Sequence, residues 1–267
     1  MTDAALSRPL ALVTGASSGI GLEVAKQLAA LDLDLVVTAE DAAGLELVAE
    51  GISSAGTAVH SVTADLRRPS EVDRLWSEVQ RLGRPLGVAV LDAGVGVGGA
   101  FVDTDLADEQ AVIDLNVSST VRLAKHVVRD MAGRGTGRVM LLSSVAATVP
   151  GPFQAVYNAS KAFTHSFGEA LQEELADTDV TVTLLVPGPT DTEFFERAGL
   201  EGTAVGESDS KDDPEEVARR AVEGLLDGEK VVAGTPKVGL QTFATRFLPE
   251  KAKQKAHRRM SEPGSAG

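Results

Sequence analysis

The sequence predicts an α/β fold: a doubly wound parallel sheet of about seven strands, with helices on both faces, in a single domain. Three observations lead to this fold class. Short apolar runs alternate with longer helical patterns, most of the runs are continuous, and 43% of the 267 residues are hydrophobic. Continuous apolar runs are typical of strands buried on both faces of a parallel sheet, and this hydrophobic content excludes a disordered chain.

The apolar runs are the predicted strands, and segments with helical periodicity separate them. We expect strands at 10–14, 34–38, 57–62, 86–91, 137–143, 180–186 and 230–233. We expect helices at 19–31, 42–54, 70–82, 106–132, 155–176 and 214–227. This alternation favours right-handed crossovers between parallel strands, so residues 1–236 are predicted to form one Rossmann-type catalytic domain.

Two segments fall outside the regular alternation. Residues near 190–213 are polar, contain glycine and are long enough to form a lid over a substrate. Residues 237–267 are a basic C-terminal extension that we expect to be partly helical or disordered. A basic amphipathic helix there could make peripheral contact with an anionic membrane, although a solvated helix explains the composition more simply.

Charge and composition exclude several function classes. The net charge of −14 repels phosphate backbones, so no nucleic-acid partner is expected. Cysteine is absent and the four histidines are scattered, which predicts no disulfide, no cysteine nucleophile and no metal site. No apolar secretory segment begins the sequence and no uncharged apolar run is long enough for a membrane span, so we predict a cytoplasmic protein.

A glycine-rich turn follows the first predicted strand and opens the first helix. Its glycines permit a tight turn and the close approach of a ligand, and the helix N-terminus offers N–H groups with a positive dipole end. This arrangement suits the pyrophosphate of a dinucleotide. The predicted contacts are Gly15, Ser17, Ser18, Gly19, Ile20 and Gly21.

The same turn also contains the pattern Gly-x-Ser-x-Gly, so a serine hydrolase with Ser17 as nucleophile is an alternative from another reaction class. That reading requires a downstream acid and histidine, an oxyanion loop and usually several strands before the serine. Here the serine follows the first strand, and the only late histidine, His257, lies in the basic extension. The hydrolase is therefore disfavoured.

Glu40 ends the second strand, about 20 residues after the glycine turn. A carboxylate at this spacing accepts hydrogen bonds from the adenosine ribose of NAD and repels the 2′-phosphate of NADP. We find no Arg or Lys nearby that could pair with that phosphate. The sequence therefore favours NAD(H), and NADP(H) stays a possible cofactor. Capping of the next helix by Glu40 and Asp41 explains the same residues equally well.

Tyr157 and Lys161 open a long predicted helix and lie one turn apart, so their side chains share a helix face. Tyr157 is the single tyrosine of the chain. An ammonium beside a phenol lowers the pKa of the phenol, and a cationic nicotinamide in a dry site would add to the effect. We therefore expect Tyr157 to act as a general acid and base at neutral pH, although a surface pair explains an isolated Tyr-x-x-x-Lys.

Taken with Ser144, which follows the fifth strand, these motifs resemble the short-chain dehydrogenase/reductase family. The resemblance runs from Leu10 to about Ala233, with the motifs in the order of the family. Its further motifs are Ala64-Asp65-Leu66, Ala93-Gly94, Asn116 and Pro187-Gly188-Pro189-Thr190-Asp191-Thr192.

The resemblance implies an NAD(P)-dependent oxidoreductase that transfers a hydride reversibly between its cofactor and a small-molecule carbonyl or secondary alcohol. Tyr157 would exchange the proton of the substrate, and Ser144 would hydrogen-bond the substrate oxygen. Lys161 would hold the nicotinamide ribose, and Asn116 would bend its helix and seat a water of a proton relay. The implied cofactor contacts also include Asp65 and Leu66 at the adenine, Asp92, Ala93 and Gly94, and Pro187, Gly188, Thr190 and Thr192 at the nicotinamide.

Several alternatives stay open. Asp92 stands where the family usually has asparagine, so contacts that an amide would donate are in doubt. The substrate is open among steroids, sugars, fatty-acyl thioesters and xenobiotic carbonyls. Family habit and the two apolar faces of segment 106–132 indicate a homodimer or homotetramer. A dinucleotide-binding sensor or scaffold without catalysis is the alternative function, since a fold does not imply an activity.

Overall fold

The computed structural model describes residues 8–53, 56–245 and 249–266, and it confirms the predicted α/β architecture. The strands are β1 (Leu10–Thr14), β2 (Asp34–Ala39), β3 (Val59–Thr63), β4 (Leu86–Leu91), β5 (Thr136–Leu142), β6 (Asp179–Val186) and β7 (Val231–Ala233). They form one parallel sheet in the order β3-β2-β1-β4-β5-β6-β7. The order reverses between β1 and β4, and ligands bind at such a switch point in open α/β sheets.

The helices surround this sheet. They are α1 (Gly19–Ala30), α2 (Ala42–Ser53), α3 (Pro69–Arg81), α4 (Leu106–Ile113), α5 (Thr120–Arg134), α6 (Ala155–Glu174), α7 (Phe194–Arg197), α8 (Pro214–Asp227), α9 (Pro236–Thr245) and α10 (Glu250–Ser261). A 3₁₀ turn, Val145–Thr148, follows β5. Within the described ranges, no helix is long and apolar enough to span a bilayer.

The core has two layers because successive strand residues point to opposite faces of the sheet. On β1, Leu10 and Leu12 belong to the layer that packs α3, α5 and α6 against the sheet. Ala11 and Val13 belong to the layer that packs α1, α2 and α8 against the other face. The central strands are therefore apolar on both faces, which is why their sequences read as continuous apolar runs.

The predicted helix 106–132 is interrupted. A π-helical stretch, Asp114–Ser119, separates α4 from α5 and contains Asn116. The side chain of Asn116 holds the chain after β4: its Nδ2 donates to the Val95 carbonyl oxygen and its Oδ1 accepts from the Val95 N–H, both at 2.9 Å. Such π-bulges occur frequently at functional sites.

The basic extension is helical in α9 and α10, while its residues 246–248 and 267 lie outside the described residues. Helix α10 packs against the domain instead of extending away from it. The Met260 carbonyl accepts from the Val205 N–H at 2.9 Å, and the Ser261 hydroxyl donates to Gln154 Oε1 at 3.0 Å. Ser261 is buried by this contact.

Candidate active site

A cavity of about 790 Å³ lies at the carboxyl ends of the strands. It brings most of the predicted site residues together. Those that line it are Gly15, Ser17, Ser18, Gly19, Ile20, Glu40, Asp65, Leu66, Asp92, Ala93, Gly94, Ser144, Tyr157, Lys161, Pro187, Gly188, Thr190 and Thr192. Two predicted residues, Gly21 and Asn116, lie behind its wall.

The glycine turn after β1 forms one wall. Gly15 and Gly19 have φ angles of 69° and 58°, in a region that glycine adopts without strain. A Cβ atom on Gly19 would lie 3.2 Å from Cγ2 of Thr192, so the turn closely approaches the segment after β6. The side chain of Ser18, the N-cap of α1, makes no capping hydrogen bond. The N-terminus of α1 therefore suits a pyrophosphate group.

The acid at the end of β2 has a basic partner in space. Arg67 Nη2 donates to Glu40 Oε2 at 2.6 Å, and Arg67 Nε donates to Asp65 Oδ1 at 2.7 Å. The Arg67 hydrogen bond is the main cause of a lowered pKa at Asp65. The prediction that no arginine or lysine lies near Glu40 is therefore wrong, because β2 and β3 are neighbours and their following loops meet.

Ser144, Tyr157 and Lys161 meet where β5 ends and α6 begins. Lys161 Nζ donates to the Leu142 carbonyl at 3.0 Å and lies 5.8 Å from the centroid of the Tyr157 ring. Ser144 accepts from the Ala146 N–H at 3.1 Å, and its hydroxyl also hydrogen-bonds Tyr157. A hydroxyl, a phenol and an ammonium thus converge on one point of the cavity.

The pKa of the phenol differs from the expectation. Burial raises the pKa of Tyr157 to about 12, and the Ser144 hydrogen bond only partly opposes it. We expected Lys161 to lower this pKa. In the structure Lys161 donates to a main-chain carbonyl and faces the opposite charge of Asp92, so it does not offset the burial. The phenol therefore keeps its proton at neutral pH in this structure.

Asp92 is an acid beneath the glycine turn. A Cβ atom on Gly21 would lie 2.7 Å from its Oδ2, while its Oδ1 is buried without a hydrogen-bond partner among the described residues. Burial raises the pKa of Asp92 to about 7, although the Lys161 charge and the Gly21 N–H lower it. Burial also lowers the pKa of Lys161, and Asp92 opposes that shift.

Asn116 lies directly behind the lysine. A Cβ atom on Gly94 would be 3.2 Å from Asn116 Oδ1 and 3.4 Å from Lys161 Nζ. Asn116 Nδ2 also donates to the Ser160 hydroxyl at 2.9 Å. The asparagine therefore links the π-helical stretch to the end of α6 that contains Tyr157 and Lys161.

The other half of the cavity contains Phe194, Phe195, Ala204 and Val205, which belong to the segment predicted as a lid. It also contains residues that sequence reasoning missed, namely Gln154, Ala256, His257, Met260 and Ser261. Helix α10 is held there by His257, whose Nε2 accepts from Asn158 Nδ2 at 3.2 Å, and by Arg258, which lies over the Phe153 ring at 5.5 Å. These contacts join residues about 100 positions apart, and no local pattern signals them.

Comparisons with known proteins agree with this geometry. The sequence profile described as short chain dehydrogenase matches residues 9–201. A 3-oxoacyl-[acyl-carrier-protein] reductase of Synechocystis sp. is 36% identical over 203 residues, which cover 74% of this chain and 80% of that protein. A ketoacyl reductase of Nostoc sp. is 29% identical over 177 residues, which cover 66% of this chain and 62% of that protein.

Solved structures agree as well. A short-chain dehydrogenase from Sphingobium yanoikuyae in complex with NADPH superposes with a TM-score of 0.81 at 30% identity, covering 89% of this chain and 92% of that chain. A short-chain dehydrogenase/reductase from Burkholderia phymatum in complex with NAD has the same fold, with a TM-score of 0.81 at 22% identity over 90% and 93% of the two chains. The chain therefore belongs to the short-chain dehydrogenase/reductase family and is an oxidoreductase that acts on CH–OH and C=O groups with a nicotinamide cofactor.

Proposed function

We propose that this protein transfers a hydride reversibly between NAD(H) and a carbonyl or secondary alcohol substrate, with Tyr157 as the general acid and base. One observation carries the proposal: Ser144, Tyr157 and Lys161 line a single cavity with the glycine turn of α1. A dinucleotide-binding sensor without catalysis would not need Ser144, Tyr157 and Lys161 in that cavity.

The residues of the cavity fit a dinucleotide. The glycine turn would hold the pyrophosphate, Asp65 and Leu66 would flank the adenine, and the segment 187–192 would surround the nicotinamide. When bound, the cofactor supplies or accepts the hydride. The cavity is consistent with this, because Glu40 and Tyr157 both line it.

Tyr157 would move the proton. In reduction it donates its hydroxyl proton to the carbonyl oxygen, and in oxidation it takes the proton back from the alcohol. Burial keeps Tyr157 protonated at neutral pH, which suits reduction. Oxidation needs the phenolate, which a cationic ring in the cavity would favour. Ser144 would hydrogen-bond the substrate oxygen and stabilise its developing charge.

Lys161 and Asn116 would return a proton to Tyr157 after each reduction. Lys161 is buried and lies between Tyr157 and Asn116. We propose that Asn116 seats a water molecule of a relay that ends at Lys161. The two asparagine hydrogen bonds to Val95 would keep that position rigid.

We propose a preference for NAD(H). Glu40 lines the adenosine end of the cavity, and its charge disfavours a 2′-phosphate. Arg67 is held by both Glu40 and Asp65, so it would have to leave Glu40 to pair with that phosphate. NADP(H) would then bind more weakly rather than not at all.

The substrate half of the cavity favours a compound with an apolar body. Its wall is largely aromatic and aliphatic, and it contains Val145, Val149, Phe194, Phe195, Val205 and Met260. We therefore propose a ketone or secondary alcohol with an apolar body, whose oxygen points to Ser144 and Tyr157.

The test compares purified wild-type protein with Tyr157→Phe and Ser144→Ala on a panel of ketones and alcohols. Loss of the acid–base group should lower kcat by about a thousandfold, and loss of the serine hydroxyl by about a hundredfold. The dissociation constant for NADH should stay within about twofold, since neither change alters the glycine turn. Ser77→Ala, in which the lost hydroxyl bonds only an exposed helix carbonyl, is the matched control.

Two results would contradict the proposal. Full turnover by both Tyr157→Phe and Ser144→Ala would remove the assigned mechanism. NADH binding by the wild type without turnover of any carbonyl or alcohol would favour the sensor alternative.

We also propose that the protein forms a homodimer or homotetramer. Ile113, Val121 and Phe163, on α4, α5 and α6, are large apolar side chains that are 38%, 37% and 40% exposed. Covering these side chains would remove apolar surface from water. Size-exclusion chromatography with light scattering should give a mass of two or four chains, and a monomer would contradict the proposal.

A further inference from the structure

Asp92 is a buried titratable group that the proposed reaction does not use. It follows β4 at the point where the strand order reverses, and it lines the cavity. Its main-chain N–H donates to Thr14 Oγ1 at 3.0 Å, which fixes the residue against the end of β1. A buried carboxylate is costly unless it is paired, so its presence needs a physical explanation.

The surroundings of this carboxylate are asymmetric. Oδ2 is directed to the glycine turn and accepts the Gly21 N–H, while Oδ1 is buried without a hydrogen-bond partner in the described part of the chain. The charged groups that act on it are the Lys161 ammonium on α6 and the positive N-terminal end of α1. No other titratable group among the described residues shifts its protonation.

We propose that Asp92 is an electrostatic residue that strengthens binding of the oxidised cofactor relative to the reduced cofactor. The inference rests on the nicotinamide binding of the proposed function and goes beyond it, because it assigns the balance between the two redox forms to one side chain.

The oxidised and reduced forms of the cofactor differ in the charge of the nicotinamide ring. Oxidised and reduced nicotinamide dinucleotides share the pyrophosphate, the adenosine and both riboses, and they differ by one positive charge on the ring. A fixed negative charge in a cavity of low dielectric therefore favours the oxidised form, whatever the common parts contribute. The Lys161 charge has the opposite effect, and the Asp92 charge offsets it.

The experiment measures dissociation constants for NAD⁺ and NADH by fluorescence and calorimetric titration, without any substrate. Asp92→Asn keeps the shape and removes the charge. At pH 8 we expect the ratio of the NADH constant to the NAD⁺ constant to fall by about threefold to tenfold in Asp92→Asn. Asp177→Asn makes the same change of net charge at an exposed position and should leave the ratio unchanged.

A second measurement uses the wild type alone and does not depend on the folding of a variant. Because burial raises the pKa of Asp92 to about 7, the carboxylate forms as the pH rises through neutrality. Burial lowers the pKa of Lys161 to about 8, so the lysine stays mostly protonated between pH 5.5 and 7, and we expect the same ratio to rise over this range in the wild type.

The outcomes separate the two proposals. A ratio that is equal in wild type and Asp92→Asn, or one that is independent of pH in the wild type, overturns the role of Asp92 while leaving the proposed function intact. Failure of the wild type to bind either form of the dinucleotide overturns both. Tight binding of both forms with loss of turnover in Tyr157→Phe, together with the expected ratios, supports both.

Discussion

The two halves of the cavity are built by different means. The half that we propose binds the dinucleotide, here called the dinucleotide half, is formed by short connections that follow β1, β2, β3 and β4, so its residues come from strand ends that the sheet aligns. The substrate half is formed by segments far apart in sequence: the loop before α6, the region around α7, and α10. The first half depends on main-chain geometry, and the second depends on side-chain contacts between distant elements.

Because the two halves are built by different means, we expect them to respond to different substitutions. A change in the glycine turn should alter affinity for the dinucleotide and leave the substrate wall in place. A change in α10 should alter use of the substrate and leave dinucleotide affinity unchanged. Any variant that damages both halves equally would contradict the separation.

The largest effect is expected from removal of α10 by ending the chain after Pro249. The loss of His257, Met260 and Ser261 opens the substrate wall, and misplacement of a substrate costs about a hundredfold in kcat/KM. NADH affinity should stay within about twofold. The control, Lys255→Ala with Arg259→Ala, changes exposed side chains on the same helix and should retain kcat/KM. An unchanged kcat/KM after truncation would contradict the assignment of α10 to the wall.

The next largest effect is expected from Gly21→Ala in the dinucleotide half. The added Cβ would lie 2.5 Å from the Gly15 carbonyl oxygen and 2.7 Å from Asp92 Oδ2, so the turn must shift. Overpacking of this kind costs about 1–3 kcal/mol, which corresponds to about fivefold or more in the dissociation constant for NADH. Gly133→Ala is the matched control, because its Cβ meets nothing within 4 Å. Normal NADH binding by Gly21→Ala would show that the turn is not the pyrophosphate site.

A smaller effect is expected from Glu40→Gln. Removing this charge eliminates repulsion of a 2′-phosphate and frees Arg67 to approach it. Because Glu40 is largely exposed, solvent screening limits the gain, and we expect the affinity ratio to move about fivefold toward NADPH. Titration of the protein with NADH and with NADPH measures this affinity ratio, and the exposed Glu46→Gln is the control. A shift toward NADH would contradict the assignment of Glu40.

The smallest effect concerns pH. Burial lowers the pKa of His257, although the Pro152 carbonyl opposes the shift, so the ring is neutral above its ordinary titration range. Protonation removes the acceptor that Asn158 uses. Docking of α10 is therefore complete above about pH 6.5 and weakens as the pH falls through the lowered pKa. We expect KM to rise about twofold to threefold there. The rise should vanish in His257→Gln and persist in His60→Gln, which changes an exposed histidine on β3.

The strand, turn and helix of the dinucleotide half could be predicted from the sequence because their signals are local. The run Leu10–Thr14, the turn at Gly15 and the start of α1 follow one another directly, and one motif reports all three. The same reasoning failed where a contact crosses strands. Arg67 lies 27 positions from Glu40 and meets it only because β2 and β3 pair.

The contribution of α10 to the substrate half was hidden for a different reason. The basic composition of residues 237–267 indicates exposure, and α10 does expose many of its charges. Helix α10 is held against the domain by a few polar contacts, such as the hydrogen bond between Ser261 and Gln154. Hydrophobic periodicity in the sequence does not indicate such contacts. The protonation state of Asp92 was hidden as well, because it depends on burial that only the fold creates.

Asn158 has one further consequence. It holds α10 through His257 and is the immediate neighbour of Tyr157 on α6, so the helix proposed to close the substrate wall and the phenol proposed as proton donor are both attached to α6. An ill-fitting compound that displaces α10 therefore also misaligns the phenol. Discrimination between substrates would then appear in kcat as well as in substrate affinity, because a poorly fitting compound would bind but turn over slowly.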